Sequence, residues 1–505
     1  MLAIVESCTL IGIDGYLVKV EVDVSLGLPG FEIVGLPDTA VKEAKDRVRA
    51  AIKNSDFSFP GQRITVNLAP ADIKKAGPFF DLPIALGILA ATGQVAAERL
   101  NGKVFVGELS LEGTIQSVSG VLPMALSLLK LNKEAFVVPR INSWEAVLAK
   151  GLAIYAAVSL NDLIDRISID ELEKVVFQQN ENQPLENLPD FSEVVGQDAA
   201  KRALKIAAVG NHNLLMVGPP GSGKTMLAKR LPSILPPMSH EESIEVTRIY
   251  SAAGLLDKDN PLVTDRPLRS PHHSASAAGI IGGGRIPKPG EISLAHNGVL
   301  FMDELPEFRK DVLESLRQPL ENGLVTISRV AAALDYPAKI MFIAAMNPCP
   351  CGFYGDHTKE CKCSEYQIIR YRNRISGPVL DRIDIQIEVP RLSYEETRHS
   401  VQQETSKDIR QNVIMAREFQ KSRYKGTSII NNSQLDSEGI KKWCVLDVEG
   451  EELLKTSYDR LGLSMRAHHR ILKVARTIAD MEQRDRISVE NLAEAIQYRR
   501  MDNEN

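Results

Sequence analysis

Residues 213–231, NLLMVGPPGSGKTMLAKRL, constrain the fold more than any other stretch of this chain. An apolar run gives way to a glycine-rich loop, and the loop opens directly into a helical pattern. Gly218, Gly223, Lys224 and Thr225 hold the spacing G-x-x-x-x-G-K-[ST], with Pro219, Pro220, Gly221 and Ser222 between them. In a strand–loop–helix setting the loop's backbone N–H groups turn inward around phosphate oxygens, and the positive end of the helix faces them. Lys224 then reaches the outer phosphates, and the Thr225 hydroxyl binds Mg2+. The expectation is an α/β core with a parallel sheet that takes ATP and Mg2+.

Such a loop needs an acidic partner on a neighbouring strand. NGVLFMDEL supplies an apolar run ending in Asp303 and Glu304. Asp303 at a strand's carboxyl end can hold the Mg2+ shell, and Glu304 can polarise the attacking water. KIMFIAAMN is a third strand candidate, and its terminal Asn347 is an amide able to orient water against the γ-phosphate. Arg382, just before the apolar run IDIQIEV, and Arg466, at the start of a helical pattern, are candidate cations for the charge that builds in phosphoryl transfer. Each is equally a residue type that forms surface ion pairs.

At 505 residues the chain is too long for a single core. Residues 1–167 alternate β-rich runs (YLVKVEVDVS, RITVNLAP) with helical stretches, as in an α+β domain. Residues 168–190 form the expected linker, polar and rich in Gln and Asn from 178 onward. Residues 191–392 read as the α/β core, and 393–505 as an all-α domain in which Ser488 is a candidate N-cap. No apolar stretch approaches the roughly 20 residues that span a bilayer, and the N-terminus lacks the basic region of a secretory signal. A cytoplasmic protein is therefore expected. The net charge of −5 argues against a wholly basic, nucleic-acid-coating surface and leaves room for a locally basic loop.

Taken together, GPPGSGKT, GVLFMDELPEF, AAMNPCPCG, SGPVLDRIDI and LSMRAHHRILKVARTIAD resemble the ComM/YifB family of magnesium-chelatase-like AAA+ ATPases over almost the whole chain. The resemblance implies that Lys224 and Thr225 belong to Walker A and Asp303 and Glu304 to Walker B. It makes Asn347 sensor 1, Arg382 the arginine finger and Arg466 sensor 2. It also implies a homo-hexameric ring with ATP at subunit interfaces, a helical lid, and helicase-like DNA branch migration in natural transformation and recombination. Metal-insertion and protein-remodelling motors share the ATPase core and remain alternatives. The N-terminal segment resembles a Lon-protease-type domain, but Phe79 stands at the nucleophile's position and Leu122 at the lysine's. Neither side chain can serve a Ser–Lys mechanism, so the domain is expected to be proteolytically dead.

Residues 267–298 separate the Walker segments and are rich in Gly, Ser and Pro, with Arg269, Arg285 and Lys288 set against Glu291 and with Arg266 just outside. In related AAA+ proteins an insert here points into the ring's pore. ENGLVTISRVAAALDYPAKI reads as a second basic element, a hairpin with Arg329 near its tip. Basic loops converging in a ring can track a phosphate backbone without reading bases. The adjacent His272 and His273, expected in a helix, lack a third metal ligand and are expected to serve packing or hydrogen bonding.

Cys349, Cys351, Cys361 and Cys363 form two Cys-x-Cys pairs immediately after Asn347, with Gly352 and Gly355 available for tight turns. The thiolates can complete a closed, structural Zn2+ shell, with His357 a substitute ligand. A disulfide pair or unliganded packing are the rival explanations.

Overall fold

A computed structural model of the chain describes residues 1–75, 77–176, 188–257, 260–284, 287–328, 333–356, 358–393 and 403–499. The N-terminal unit is built on a seven-stranded mixed sheet. Its strands are β1 (Leu2–Ile11), β2 (Asp14–Ser25), β3 (Gly30–Val34), β4 (Arg63–Ala69), β5 (Lys103–Phe105), β6 (Ala135–Pro139) and β7 (Ala153–Ala157). They lie in the order β3-β4-β2-β1-β5-β6-β7. Val18, Val20, Val22 and Val24 alternate along β2 and are all buried, the period-two signature of a strand with one face on a core. That core is completed by the helices Thr39–Asn54 and Asp81–Ala91, the second buried along its whole length. Phe79 and Leu122 are both buried, so neither position presents a polar group to solvent. The helix Leu160–Ile169 runs past the boundary expected at 167, because Leu163, Ile164 and Ile167 on one face of it are buried in this core. Most of the expected linker, residues 177–187, lies outside the described residues.

The second unit is a five-stranded sheet, parallel throughout. In chain order its strands are β8 (Leu214–Val217), β9 (Leu268–Arg269), β10 (Val299–Met302), β11 (Met341–Met346) and β12 (Ile385–Glu388). They lie side by side as β9-β10-β11-β8-β12. Every residue of β8, β10 and β11 is buried, as a parallel sheet covered on both faces requires. In this order β8 sits between β11 and β12, and the strands that precede the phosphate loop, the acidic pair and Asn347 are neighbours.

Among the described residues no strand follows Glu388. Helices Ser406–Arg423, Met465–Met481 and Val489–Gln497 form the C-terminal unit, and Ser488 caps the last of them by accepting from the Asn491 amide at 3.3 Å. This unit shares one hydrophobic core with one face of the parallel sheet. On the other side, the N-terminal unit docks through the β1–β2 turn, where Ile13 enters the core behind β10 and β11 and Arg248 donates to the Ile13 carbonyl at 2.8 Å. No helix among the described residues is long and apolar enough to cross a membrane.

Candidate nucleotide site

Three strand ends converge on Lys224. Its ammonium is 2.7 Å from the Gly218 carbonyl oxygen, 2.9 Å from that of Pro219 and 3.5 Å from the Asn347 side-chain oxygen. Burial pushes this ammonium below its usual range, against the opposing pull of Asp303 and Glu304. The Thr225 hydroxyl donates to the Asp303 carboxylate at 2.6 Å. These residues come from the loop after β8 and the ends of β10 and β11, so parallel register brings 224, 303 and 347 together despite their distance in sequence.

The loop is shaped for close approach of a ligand to backbone. A Cβ on Gly218 would lie 2.1 Å from the Val389 carbonyl oxygen, and Gly223 turns at a φ of +93° into the helix Lys224–Ile234. Gln197, which the sequence pattern does not single out, donates to the carbonyls of Ser222 and Pro390 at 3.2 and 2.7 Å. It braces the loop against the chain leaving β12. The donor set fits a triphosphate with Mg2+: a glycine-rich loop, one ammonium, one hydroxyl and one carboxylate meet at a helix N-terminus.

Glu304 follows Asp303 in the left-handed region at a φ of +52°, which turns the chain sharply off the end of β10. Its carboxylate lies 3.3 Å from His273 Nδ1. The expectation of a helix at His272–His273 is corrected: the two imidazoles stack at 4.1 Å in a turn ahead of the short helix Ala277–Ile281, which Ser276 caps. The contact between His273 and Glu304 was not visible in sequence, since nothing local pairs the two.

Arg382 and Arg466 stand apart from this cluster. Arg382 donates to the Pro378 carbonyl at 2.7 Å and to Glu321, whose carboxyl it holds below the usual range. Arg466 is largely exposed and lies 3.8 Å from Asp381. Among the described residues, neither bonds to the phosphate loop, Asp303, Glu304 or Asn347.

The insertion at 267–298 is folded rather than structureless. Arg269, expected to add to the insertion's positive charge, grips Glu291 by two bonds of 2.6 and 2.8 Å. Arg266 is equally committed, to the carbonyls of Pro236 and Asn297 and to Glu242. Lys288 is exposed, whereas Arg285 lies outside the described residues. Strands Leu324–Ser328 and Ala333–Pro337 form the expected hairpin, whose tip, with Arg329, lies outside them too. The Tyr336 hydroxyl donates to the Pro287 carbonyl at 2.9 Å, so hairpin and insertion are joined.

The four thiols meet. All four Sγ atoms lie within 4.8 Å of one another, with Cys349–Cys351, Cys349–Cys361 and Cys351–Cys361 at 3.4, 3.7 and 3.6 Å. Zinc–sulfur bonds of about 2.3 Å in a tetrahedron set edges of about 3.8 Å, so the donor set fits one such ion. His357 lies outside the described residues.

A phosphate loop, an acidic strand end and a polar strand-end amide on a parallel sheet, with a helical unit behind, define an ATPase of the AAA+ type. The chain matches the families described as "Magnesium chelatase, subunit ChlI" at residues 190–397, "Subunit ChlI of Mg-chelatase" at 20–142 and "Magnesium chelatase, subunit ChlI C-terminal" at 403–499. It is 47% identical to "Competence protein ComM" of Haemophilus influenzae, covering 99% of this chain and 98% of that protein. It is 44% identical to "Uncharacterized protein YifB" of Salmonella typhimurium over 99% and 97% of the two chains. A "Magnesium-chelatase 67 kDa subunit" of Chlorobaculum parvum matches at 26% over 31% of this chain and 23% of its own. The chain belongs to the ComM/YifB family of magnesium-chelatase-like proteins.

Proposed function

We propose that this protein is a cytoplasmic, ring-forming ATPase, a homo-hexamer that uses ATP hydrolysis to move along DNA and promote branch migration during recombination of the kind needed in natural transformation. The observation that carries the ATPase part is the convergence of Lys224, Thr225, Asp303 and Asn347. ATP with Mg2+ supplies the scissile phosphoanhydride and the cation that offsets its charge. Gly218 to Thr225 bind the phosphates, Lys224 pairs with the outer ones, and Thr225 with Asp303 orients the metal shell. Glu304 takes a proton from the attacking water, and Asn347 orients that water. Arg382 and Arg466, which among the described residues make no bond to the Lys224 cluster, are read as acting at the boundary between subunits. The cysteine quartet is read as holding a structural zinc ion.

The DNA part is supported by the joined insertion and hairpin, with Lys288 exposed on the insertion, and by the family relative named for competence. The binding would depend on salt and not on base sequence. The N-terminal unit, read as a Lon-like domain without its catalytic pair, would serve assembly or substrate guidance.

ATP turnover with forked DNA, with single-stranded DNA and with an unfolded protein separates the readings, beside branch migration on a synthetic four-way junction. DNA stimulation and junction movement, both absent in Lys224→Ala, are expected. Stimulation by unfolded protein alone would favour a remodelling motor, and stimulation by neither would favour a chelatase-like motor awaiting partner subunits.

A further inference from the structure

Gly352, inside the cysteine turn, packs on the phosphate loop. A Cβ built on it would lie 2.7 and 2.8 Å from Cδ and Cγ of Pro220, and 3.9 Å from the side-chain carbon of Asn347. The turn that Cys349 and Cys351 close therefore touches two components of the nucleotide site at once. Its φ of +85° is a second reason for glycine here.

We propose that zinc bound by Cys349, Cys351, Cys361 and Cys363 is the fastener that seats this turn against Pro220 and Asn347, so that metal occupancy sets nucleotide affinity. The inference rests on the metal reading above. Three observations carry it.

The sulfurs are arranged as one shell rather than as two pairs. Cys349, Cys351 and Cys361 each have two sulfur neighbours at 3.4–3.7 Å, and none of the six cysteines is disulfide-bonded. Backbone amides also aim at the sulfurs, Tyr354 at Cys349 (3.4 Å) and Cys363 at Cys361 (3.5 Å). Donors of this kind favour thiolate over thiol and fix ligand orientation.

The segment has little else to hold it. Between Pro350 and Ser364, Gly352 is the one buried residue among the described residues, and both Tyr354 and Lys359 are exposed. A stretch that buries so little apolar surface does not offset the entropy of ordering itself, and small elements of this kind rely on a metal or a cross-link.

The contacts at the base of the turn are to parts of the nucleotide site. Cys349 is fully buried two residues beyond Asn347, and Arg372 donates to the intervening Pro348 carbonyl while its guanidinium lies 5.5 Å from the Tyr354 ring centre. Releasing the cysteines frees Gly352 from Pro220 and loosens both the loop and Asn347. Closed four-thiolate coordination leaves the ion no open position for substrate, so its effect reaches the nucleotide through this packing alone.

The test uses the purified full-length chain, assayed for metal content and for binding of a fluorescent ATP analogue. About one zinc per chain is expected in reducing buffer. Stripping it with a mercurial and chelator should weaken analogue binding by about 10- to 100-fold, the range seen when supporting contacts of a site are lost, with recovery on adding zinc. Gly352→Ala should keep its zinc and still weaken binding, which covers the case in which Cys361→Ser/Cys363→Ser does not fold. No zinc in the wild-type chain overturns the metal reading. Zinc present, with analogue affinity unchanged by stripping and in Gly352→Ala, overturns the coupling. A wild-type chain that carries zinc and binds no nucleotide overturns the ATPase reading and this inference with it.

Discussion

His273 Nδ1 lies 3.3 Å from a carboxylate oxygen of Glu304, with His273 near the start of the insertion that separates β9 from β10 and Glu304 just past the end of β10. The contact ties the residue read as the general base to the turn at the start of that insertion. Removing the base by Glu304→Gln should lower kcat by about 100- to 10,000-fold while analogue binding persists. His273→Ala leaves the base in place and removes its partner. A change in kcat of about 2- to 30-fold is expected there, with nucleotide affinity held, because coupling through such contacts is worth ~0.5–2 kcal/mol. Steady-state turnover and equilibrium binding on both variants check this, and a His273→Ala chain with wild-type kcat would make the pair a packing contact.

Thr225 and Asp303 should behave as a unit. Thr225→Ala deletes the 2.6 Å bond and one Mg2+ ligand, and Asp303→Asn removes the charge from its acceptor end. Both variants are expected to need more Mg2+ for half-maximal turnover, and the double variant should lose less than the sum of the two, since contacting residues are not additive. A Mg2+ titration of the four proteins gives the cycle directly.

Arg382 offers a test of the ring. Its partner within the chain is Glu321, so an ordinary surface ion pair would make Arg382→Ala and Glu321→Gln equivalent. A guanidinium completing a neighbour's site predicts otherwise. Arg382→Ala should lose about 1,000-fold or more in turnover and retain nucleotide binding, while Glu321→Gln stays near wild type. Mixing Arg382→Ala with Lys224→Ala chains should restore part of the activity if each subunit lends its arginine to the next.

What the chain reveals in sequence is what depends on near neighbours. The loop from Gly218 to Thr225, the strand ending in Asp303 and Glu304, the 324–337 hairpin and the Ser488 cap are each written within a few residues, and each appears in the structure. The Arg269–Glu291 clamp is different: the sequence shows both charges in one insertion, and only the fold shows that they bond to each other. The same holds for His273 against Glu304 and for Gly352 against Pro220. These contacts are set by how β9, β10 and β11 align, and no local period encodes that. Gln197, whose side chain braces the phosphate loop, had no motif to mark it.

Asp384 joins the parallel sheet to the helical unit, and its charge should govern the acid limit of the protein. It is buried at the start of β12, bonded to Arg470 of the helix Met465–Met481 and 3.2 Å from His212 Nδ1. His212 in turn meets Thr477 of the same helix at 2.7 Å. Burial alone would raise the Asp384 carboxyl, but Arg470 and His212 overcome it and hold the group far below the usual carboxylate range. A depressed folded-state value means that the stabilisation is fully present above the unfolded carboxylate's pKa of about 3.9 and fades as pH falls below it. Asp384→Asn leaves Arg470 without its counter-charge at the junction and should cost about 3–5 kcal/mol near neutral pH. Denaturant midpoints of the wild-type and Asp384→Asn chains should therefore differ most above pH ~5, and the gap should begin to narrow below pH ~4, closing only as the pH falls on toward the group's far lower folded-state value. A gap that does not narrow at all below pH ~4 would mean that Asp384 acts through its shape and hydrogen bonds, with its charge contributing nothing to the junction.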